Sequence, residues 1–194
     1  RIPSGLRENA RFPLPSENCF PAGQGSVLDL GAIFPHDVSM ILELHSPLDM
    51  HLHLRDGDML KLVAPLSSAS FAGAVIMPNL VPPVADADAV QAYRQRVLDA
   101  CGDDVFQPYM TAFFRSYSEK ELSRLKELVF GIKLYPAGAT TNSEGGVKAM
   151  KDTEATLSIM QEMDIPLLVH GESHGFVMDR EAEFLDVYRD LATR

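Results

Sequence analysis

Short apolar runs alternate with stretches of mixed polarity over residues 40–194 of the chain. Five of these runs have the length and apolar content of buried strands, and they span residues 46–54, 72–77, 107–114, 130–135 and 165–169. Because these runs are apolar on both faces, the sheet that they predict is parallel and covered by helices on its two sides. The pattern therefore predicts an α/β fold.

Helices are predicted between these runs, where apolar residues recur three or four positions apart. Asp86 is placed to cap a helix whose inward positions include Val90, Tyr93 and Val97. Ser118 and Glu121 have the spacing of a capping box at the start of the next helix. Two further helices are predicted over residues 153–163 and from Asp179 onward.

Two architectures fit strands that alternate with helices: an open doubly wound sheet and a (β/α)8 barrel. A glycine-rich phosphate loop does not follow the first strand, which weakens the doubly wound, dinucleotide-binding alternative. A complete barrel usually has about 250 residues. We therefore predict a TIM-type barrel that is truncated here to about five strand–helix units, since the chain ends within a helical pattern.

Residues 1–39 differ from the rest because they are rich in Pro, Gly, Ser and Asn and have no sustained period. We expect a flexible or non-native leader over 1–39 and the N-terminal part of the barrel over 40–194. An apolar run begins at Met40, and we expect translation to start there.

Composition narrows the classes of partner. With 17 Lys and Arg against 27 Asp and Glu, the net charge is −10, so we expect no nucleic acid partner. We also expect no membrane association, because no apolar run approaches the length of about 18 residues that a span needs. The two cysteines, Cys19 and Cys101, suggest no disulfide framework, and a reducing cytoplasm is the expected location.

Several residues capable of metal or acid–base chemistry fall at the ends of predicted strands. His51 and His53 are two apart on a strand, so both imidazoles point the same way. Lys133 lies inside the fourth strand, and His170 ends the fifth. Taken singly, each has a structural alternative: a surface histidine pair, a lysine that reaches an acidic partner, or a lone structural histidine. Their shared position at one end of a parallel sheet favours a metal site instead.

A second group suggests an anionic substrate with an amide. Arg55 follows the first strand, and its guanidinium matches a carboxylate, while Asn79 follows the second strand and both donates and accepts. Glu172 is placed to orient the imidazole of His170. His174 lies in the following loop and is a weaker candidate.

Four segments of the chain resemble the class II dihydroorotases: residues 49–58 (DMHLHLRDGD), 75–83 (VIMPNLVPP), 133–143 (KLYPAGATTNS) and 166–172 (PLLVHGE). The resemblance covers residues 40–194. It departs from the family pattern at Gly138, where many members have Asn.

This resemblance implies a metal-dependent hydrolase with two zinc ions. His51 and His53 would hold one ion, His170 the other, and Lys133 would bridge them as a carbamate (N6-carboxylysine). The substrate-binding residues that the resemblance implies are His53, Arg55, Asn79, Thr140, Thr141 and His170. Thr140 and Thr141 would lie on a loop that closes over the substrate.

The implied reaction is the reversible interconversion of dihydroorotate and N-carbamoyl-L-aspartate in pyrimidine synthesis, by a hydroxide between the two metals. A homodimer is the assembly implied. A further histidine and a general-base aspartate would fall beyond Arg194, so no catalytic residue is assigned within the chain. The alternatives are a related hydantoinase or allantoinase, and an inactive fragment or structural subunit. Arg55 and the turn at 77–79 favour dihydroorotase. An unpaired sheet edge also predicts instability or aggregation of the isolated chain.

Overall fold

The computed structural model describes residues 25–29 and 41–193, with side chains from Glu43 onward. The chain divides into a unit over residues 1–46 and a unit over residues 47–194. In the first unit, β1 (Gly25–Asp29) pairs antiparallel with β2 (Ile41–His45). Strand β1 falls within the expected leader, whose residues 1–24 and 30–39 lie outside the described residues, as does Met40, so the leader and the translation start stay predictions.

The second unit contains a five-stranded parallel sheet. Its strands are β3 (Leu48–Leu52), β4 (Gly73–Ile76), β5 (Gln107–Phe113), β6 (Gly131–Leu134) and β7 (Leu167–Val169). Their spatial order follows their order in the chain. A doubly wound sheet reverses strand order at a switch point, whereas a barrel adds each strand beside the last. The described topology is therefore of the barrel type, as predicted.

Helices connect and follow these strands. They are α1 (Gly57–Ser68), α2 (Ala87–Cys101), α3 (Glu119–Lys126), α4 (Glu154–Glu162), α5 (Arg180–Glu183) and α6 (Leu185–Thr193), and a 3-10 turn at Met150–Thr153 precedes α4. The predicted caps are confirmed: Asp86 accepts from the backbone N–H of Ala89 at 2.8 Å, and Ser118 and Glu121 form the reciprocal capping box. Each cap fixes where its helix begins.

Two helical segments differ from the sequence prediction. The pattern did not predict α1, because exposed apolar residues such as Leu62 and Leu66 hide its buried stripe and Pro65 lies within it. The single helix expected after Asp179 is wrong: α5 and α6 are separate, with Phe184 between them. Asp179 forms no capping hydrogen bond through its side chain, so α5 lacks the stabilisation that the prediction assumed.

The core lies between the sheet and the helices that cover it. All four residues of β4 and all four of β6 are buried, which confirms strands that are apolar on both faces. Val90, Tyr93 and Val97 of α2 are buried against them, as their spacing predicts. No helix in the described part of the chain is both long and apolar enough to cross a membrane.

Candidate active site

The two histidines of β3 and its exit converge as predicted. The Nε2 atoms of His51 and His53 lie 3.2 Å apart, and which of them carries the proton depends on the tautomers. Burial lowers the pKa of both imidazoles, and the nearby amino group of Lys133 lowers that of His51 further. Both rings are therefore mainly neutral near pH 7, which is the form that ligates a metal. The backbone N–H of His51 donates to Asp49 at 2.9 Å.

Lys133 lies in β6 with 3% of its surface exposed. Its Nζ donates to the carbonyl of Val169 at 3.3 Å, and the described residues provide no ion pair to it. Burial lowers the pKa of the Lys133 ammonium to about 8. Lys133 therefore does not pair with an acidic side chain among the described residues, which was the structural alternative. A lysine with this pKa carries a substantial neutral fraction near physiological pH.

His170 follows β7 and meets an acidic side chain. Its Nε2 lies 2.8 Å from Oε2 of Glu172, and Arg180 donates to the other carboxylate oxygen at 2.9 Å. The hydrogen bond from Arg180 lowers the pKa of Glu172, and the bond to His170 lowers it further. Glu172 is therefore placed to orient His170, as its spacing suggested. His174 is exposed in the following loop.

Arg55 lies three residues after the end of β3 at Leu52 and has a left-handed backbone conformation, with φ of 62°. This conformation is costly for a residue with a side chain and needs support from its surroundings. Tyr93 supplies it by donating its hydroxyl to the Arg55 carbonyl at 2.8 Å. The adjacent Asp56 caps α1 and pairs with Arg96 at 2.8 Å. Nη1 of Arg55 is buried without a partner among the described residues.

Asn79 is buried and joins the loop that carries the two predicted threonines. Its Nδ2 donates to the carbonyl of Thr141 at 2.9 Å, and Asn142 donates to the Asn79 carbonyl at 3.1 Å. The backbone N–H of Thr140 donates to Ser143 at 3.0 Å. The structure thus brings Asn79 and Thr141 into contact, although they are 62 residues apart in the chain.

Tyr135 is a candidate that the sequence analysis missed. It is 1% exposed, and its hydroxyl has no hydrogen-bond partner among the described residues. Its ring stacks on His170 at 6.0 Å and lies 5.5 Å from Nζ of Lys133. Burial raises its pKa, so the hydroxyl stays protonated and can donate. The sequence signal for it is spacing, since it is two residues from Lys133, as His51 is from His53, but this spacing alone does not separate it from a core aromatic residue.

The donor set fits a metal only in part as it stands. No three or more His, Cys, Asp or Glu residues in the described ranges are grouped to hold an ion. The neutral imidazoles of His51 and His53 suit a zinc-type ion, and Nδ1 of His53 is buried without a partner in the same ranges. A third ligand arises if Lys133 becomes carboxylate-like, since a carbamate on its Nζ is anionic. The residues therefore fit a metal site whose completion depends on Lys133.

A cavity of about 570 Å³ lies elsewhere, against α4, β7 and α6. Leu157, Met160 and Leu191 are among the residues that line it, and no predicted site residue is. The candidate active site is therefore the cluster after the strands and not this cavity.

No protein-family model matches the chain, whereas individual known proteins do. The dihydroorotase of Helicobacter hepaticus is 44% identical over 155 residues, which cover 78% of this chain and 45% of that protein. The dihydroorotase of Salmonella arizonae is 49% identical over 156 residues, which cover 76% of this chain and 44% of that protein. The chain thus spans less than half the length of these relatives.

Solved structures give the same likeness. The dihydroorotase of Campylobacter jejuni superimposes with a TM-score of 0.74 at 55% identity, over 76% of this chain and 44% of that one. The dihydroorotase of Saccharomyces cerevisiae, solved with 5-fluoroorotic acid, has a TM-score of 0.68 at 30% identity over the same shares. An L-hydantoinase of Arthrobacter aurescens, at 0.50 and 18% over 66% of this chain and 29% of that one, supports the fold alone. These likenesses confirm the predicted fold, a portion of a (β/α)8 barrel.

Proposed function

The chain is homologous to the N-terminal portion of the dihydroorotases, and we propose on this basis that it contributes metal and substrate ligands to a cyclic-amide hydrolase. The reaction would interconvert dihydroorotate and N-carbamoyl-L-aspartate. The observation that carries the proposal is the convergence of His51 and His53 beside a buried Lys133 of lowered pKa. Because the chain spans less than half of its relatives, the activity is that of a protein that also contains the remaining part.

For the metal centre, we propose two zinc ions. His51 and His53 would hold one ion, His170 would hold the other, and a carbamate on Lys133 would bridge them. When bound, such ions supply a hydroxide near neutral pH by lowering the pKa of water. Within the chain, the burial that lowers the pKa of Lys133 favours its neutral amine, which is the form that reacts with CO2. Glu172 would hold the His170 ring in a fixed orientation.

For the substrate, Arg55 and Asn79 would bind the carboxylate. The unpartnered Nη1 of Arg55 is a buried cationic donor, and such a group is costly unless an anion meets it. Thr140 and Thr141 would approach from the loop above Asn79, and His53 and His170 would contact the ring from the metal side. The S. cerevisiae relative was solved with 5-fluoroorotic acid, a pyrimidine that carries such a carboxylate.

We also propose the pathway, the location and the assembly in which the protein acts. The reaction would be a step of pyrimidine synthesis. It would take place in the cytoplasm, which a content of two cysteines supports. The assembly would be a homodimer, which sedimentation equilibrium would test.

The first experiment tests the bridging lysine. The chain is equilibrated with zinc and ¹³C-bicarbonate, and carbamate formation is followed by ¹³C NMR and bound zinc by elemental analysis. We expect a carbamate signal and bound zinc in the wild type, and the loss of both in Lys133→Ala. Lys148→Ala, which changes an exposed lysine, is the control. Zinc bound equally well by Lys133→Ala would contradict the bridging role.

The second experiment tests the substrate class by calorimetry with 5-fluoroorotic acid. Arg55→Ala is expected to weaken binding by about 10- to 100-fold, since a hydrogen bond to a charged group contributes about 1.5–3 kcal/mol. Arg94→Ala, which changes an exposed arginine of α2, should bind like the wild type. Binding of hydantoin in preference to 5-fluoroorotic acid would favour the hydantoinase alternative, and binding of neither would favour a structural subunit.

A further inference from the structure

The loop after β6, which we call the closing loop (residues 136–147), is fixed at its base. Pro136 and Val147 form a parallel bridge, and the backbone N–H of Val147 donates to the carbonyl of Tyr135 at 2.8 Å. At Gly146, a Cβ would lie 2.4 Å from that same carbonyl oxygen, so only glycine fits. The two ends of the loop are therefore held together at the base.

Internal hydrogen bonds make the closing loop one compact body. Ser143 is fully buried, and its hydroxyl accepts from the backbone N–H of Thr140 at 3.0 Å and donates to the Thr140 carbonyl at 2.6 Å. The backbone N–H groups of Gly138 and Gly146 donate to the Ser143 carbonyl at 3.0 and 2.8 Å. A loop that is bonded internally in this way moves as a unit and does not unravel from its tip.

The tip of the closing loop is attached to Asn79 by two hydrogen bonds in opposite directions. Asn79 donates its Nδ2 to the Thr141 carbonyl at 2.9 Å, and Asn142 donates its Nδ2 to the Asn79 carbonyl at 3.1 Å. Asn142 has a φ of 57°, a left-handed conformation that Asn adopts more readily than most residues. Asn142 can therefore adopt the backbone conformation in which its side chain reaches Asn79.

This attachment depends on hydrogen bonds more than on apolar burial. Between residues 137 and 146, Ser143 is the residue classed as buried, whereas Gly138, Thr141, Glu144 and Gly145 are exposed. With few buried side chains in the loop, the loss of one hydrogen bond is expected to weaken the attachment of the loop to Asn79.

We propose that Asn142 is a positioning residue that latches the closing loop onto Asn79 and thereby fixes the orientation of the Asn79 amide. With Nδ2 held by Thr141, the amide oxygen faces the other way and the second N–H of Nδ2 remains to donate. The role of Asn79 as a substrate ligand rests on the proposed function. The latch itself does not, because it is a contact within the chain.

Hydrogen exchange of the closing loop, measured by mass spectrometry on the whole chain without metal or ligand, tests the latch. Asn142→Asp removes the donor but keeps a residue that tolerates a positive φ, and Asn142→Gly removes the side chain. We expect both variants to exchange about 3- to 10-fold faster over residues 137–147, the range that one net hydrogen bond gives. The urea midpoint should fall by no more than the loss of that one hydrogen bond accounts for. Glu144→Gln, an exposed position on the same loop, is the control and should exchange like the wild type.

The outcomes separate the latch from the proposed function. Equal exchange in the wild type and both Asn142 variants overturns the latch, and so does faster exchange spread over the whole chain. A second arm adds 5-fluoroorotic acid, and the latch predicts weaker binding by Asn142→Asp than by Glu144→Gln. Loop exchange that responds to Asn142 in a chain that binds no 5-fluoroorotic acid supports the latch and counts against the proposed function.

Discussion

Three polar atoms that are buried without a partner among the described residues belong to site residues: Nδ1 of His53, Nη1 of Arg55 and the hydroxyl of Tyr135. Such atoms are costly in a folded protein and are commonly explained by a ligand or a functional role. Sequence spacing predicted the first two positions, because each follows an apolar strand. It did not identify Tyr135, since an aromatic residue after a strand is more often part of the core. The unpaired hydroxyl, which only the structure provides, distinguishes it.

The Lys133 ammonium is expected to destabilise the metal-free chain near neutral pH. Its pKa is about 8 in the folded chain and about 10.5 when unfolded, so the unfolded state binds more protons between these values and stability rises with pH across them. Lys133→Met should therefore be more stable than the wild type at about pH 7, with a smaller difference at about pH 10. Urea unfolding in CO2-free buffer measures this. A difference that does not change with pH, as expected for the exposed control Lys148→Met, would contradict it.

Tyr135→Phe is expected to leave stability almost unchanged but to weaken the binding of 5-fluoroorotic acid. The hydroxyl has no partner to lose among the described residues, whereas the single hydroxyl hydrogen of Tyr117, also buried, is shared between the carbonyls of Ala85 and Phe113, whose oxygens lie 2.8 and 2.7 Å from the hydroxyl oxygen. Tyr117→Phe should therefore cost about 1–3 kcal/mol and leave affinity unchanged. Thermal unfolding and calorimetry of the two variants measure both quantities. The reverse pattern would show that the Tyr135 hydroxyl is structural.

At the scale of single elements, the residues that begin helices were predictable and those that end or divide them were less so. Asp86 and Ser118 cap α2 and α3 through local hydrogen bonds that the sequence spacing contains. Helix α1 was not predicted because apolar residues lie on both of its faces, so the sequence does not show which face is buried. Helix α2 also supports the turn at Arg55, because Tyr93 donates to the Arg55 carbonyl and Arg96 donates to the carboxylate of Asp56. Such tertiary support cannot be read from periodicity.

The capping box of α3 is expected to make stability depend on pH. Hydrogen bonds from Ser118 and Arg115 lower the pKa of Glu121 to about 2 from its usual 4.5. A depressed carboxyl contributes stability above about pH 4.5 that is lost as pH falls towards about 2. Glu121→Gln should remove this part of the acid sensitivity. Unfolding midpoints between about pH 6 and pH 2 measure it, with Glu127→Gln, at an exposed position at the end of α3, as control. Parallel pH profiles for Glu121→Gln and the wild type would contradict the prediction.

At the scale of the whole molecule, the parallel sheet was predictable and its edges are where the chain is vulnerable. Strands β3 and β7 are the outer strands of the described five-stranded sheet. Among the described residues, Leu62 and Leu66 of α1 are 66% and 72% exposed, and Met178 is 79% exposed. Exposed strand edges together with exposed apolar side chains favour association. Aggregation of the isolated chain stays a prediction, and these exposed edges and side chains are its physical basis.

Replacing Leu62 and Leu66 together by Lys and Glu is expected to reduce self-association without lowering stability. Both side chains are exposed, so their apolar area contributes little to the fold. Sedimentation velocity over a range of concentrations measures association, and urea unfolding measures stability. Replacing Lys61 and Lys120, two exposed lysines, by Glu is the charge-change control. If the leucine variant associates as strongly as the wild type, the surface that mediates self-association lies elsewhere, at the strand edges.

The strand order, in which each strand lies beside the one before it, has a consequence for assembly during synthesis. Each new strand pairs with an edge that has already been made, so every pairing closes only a short loop, and folding can follow the ribosome from β3 to β7. The histidine pair emerges first, and Lys133 emerges 80 residues later. In the proposed metal centre, metal capture by the nascent chain would therefore proceed in stages, because the two imidazoles are synthesised before the lysine that is proposed to complete the ligand set.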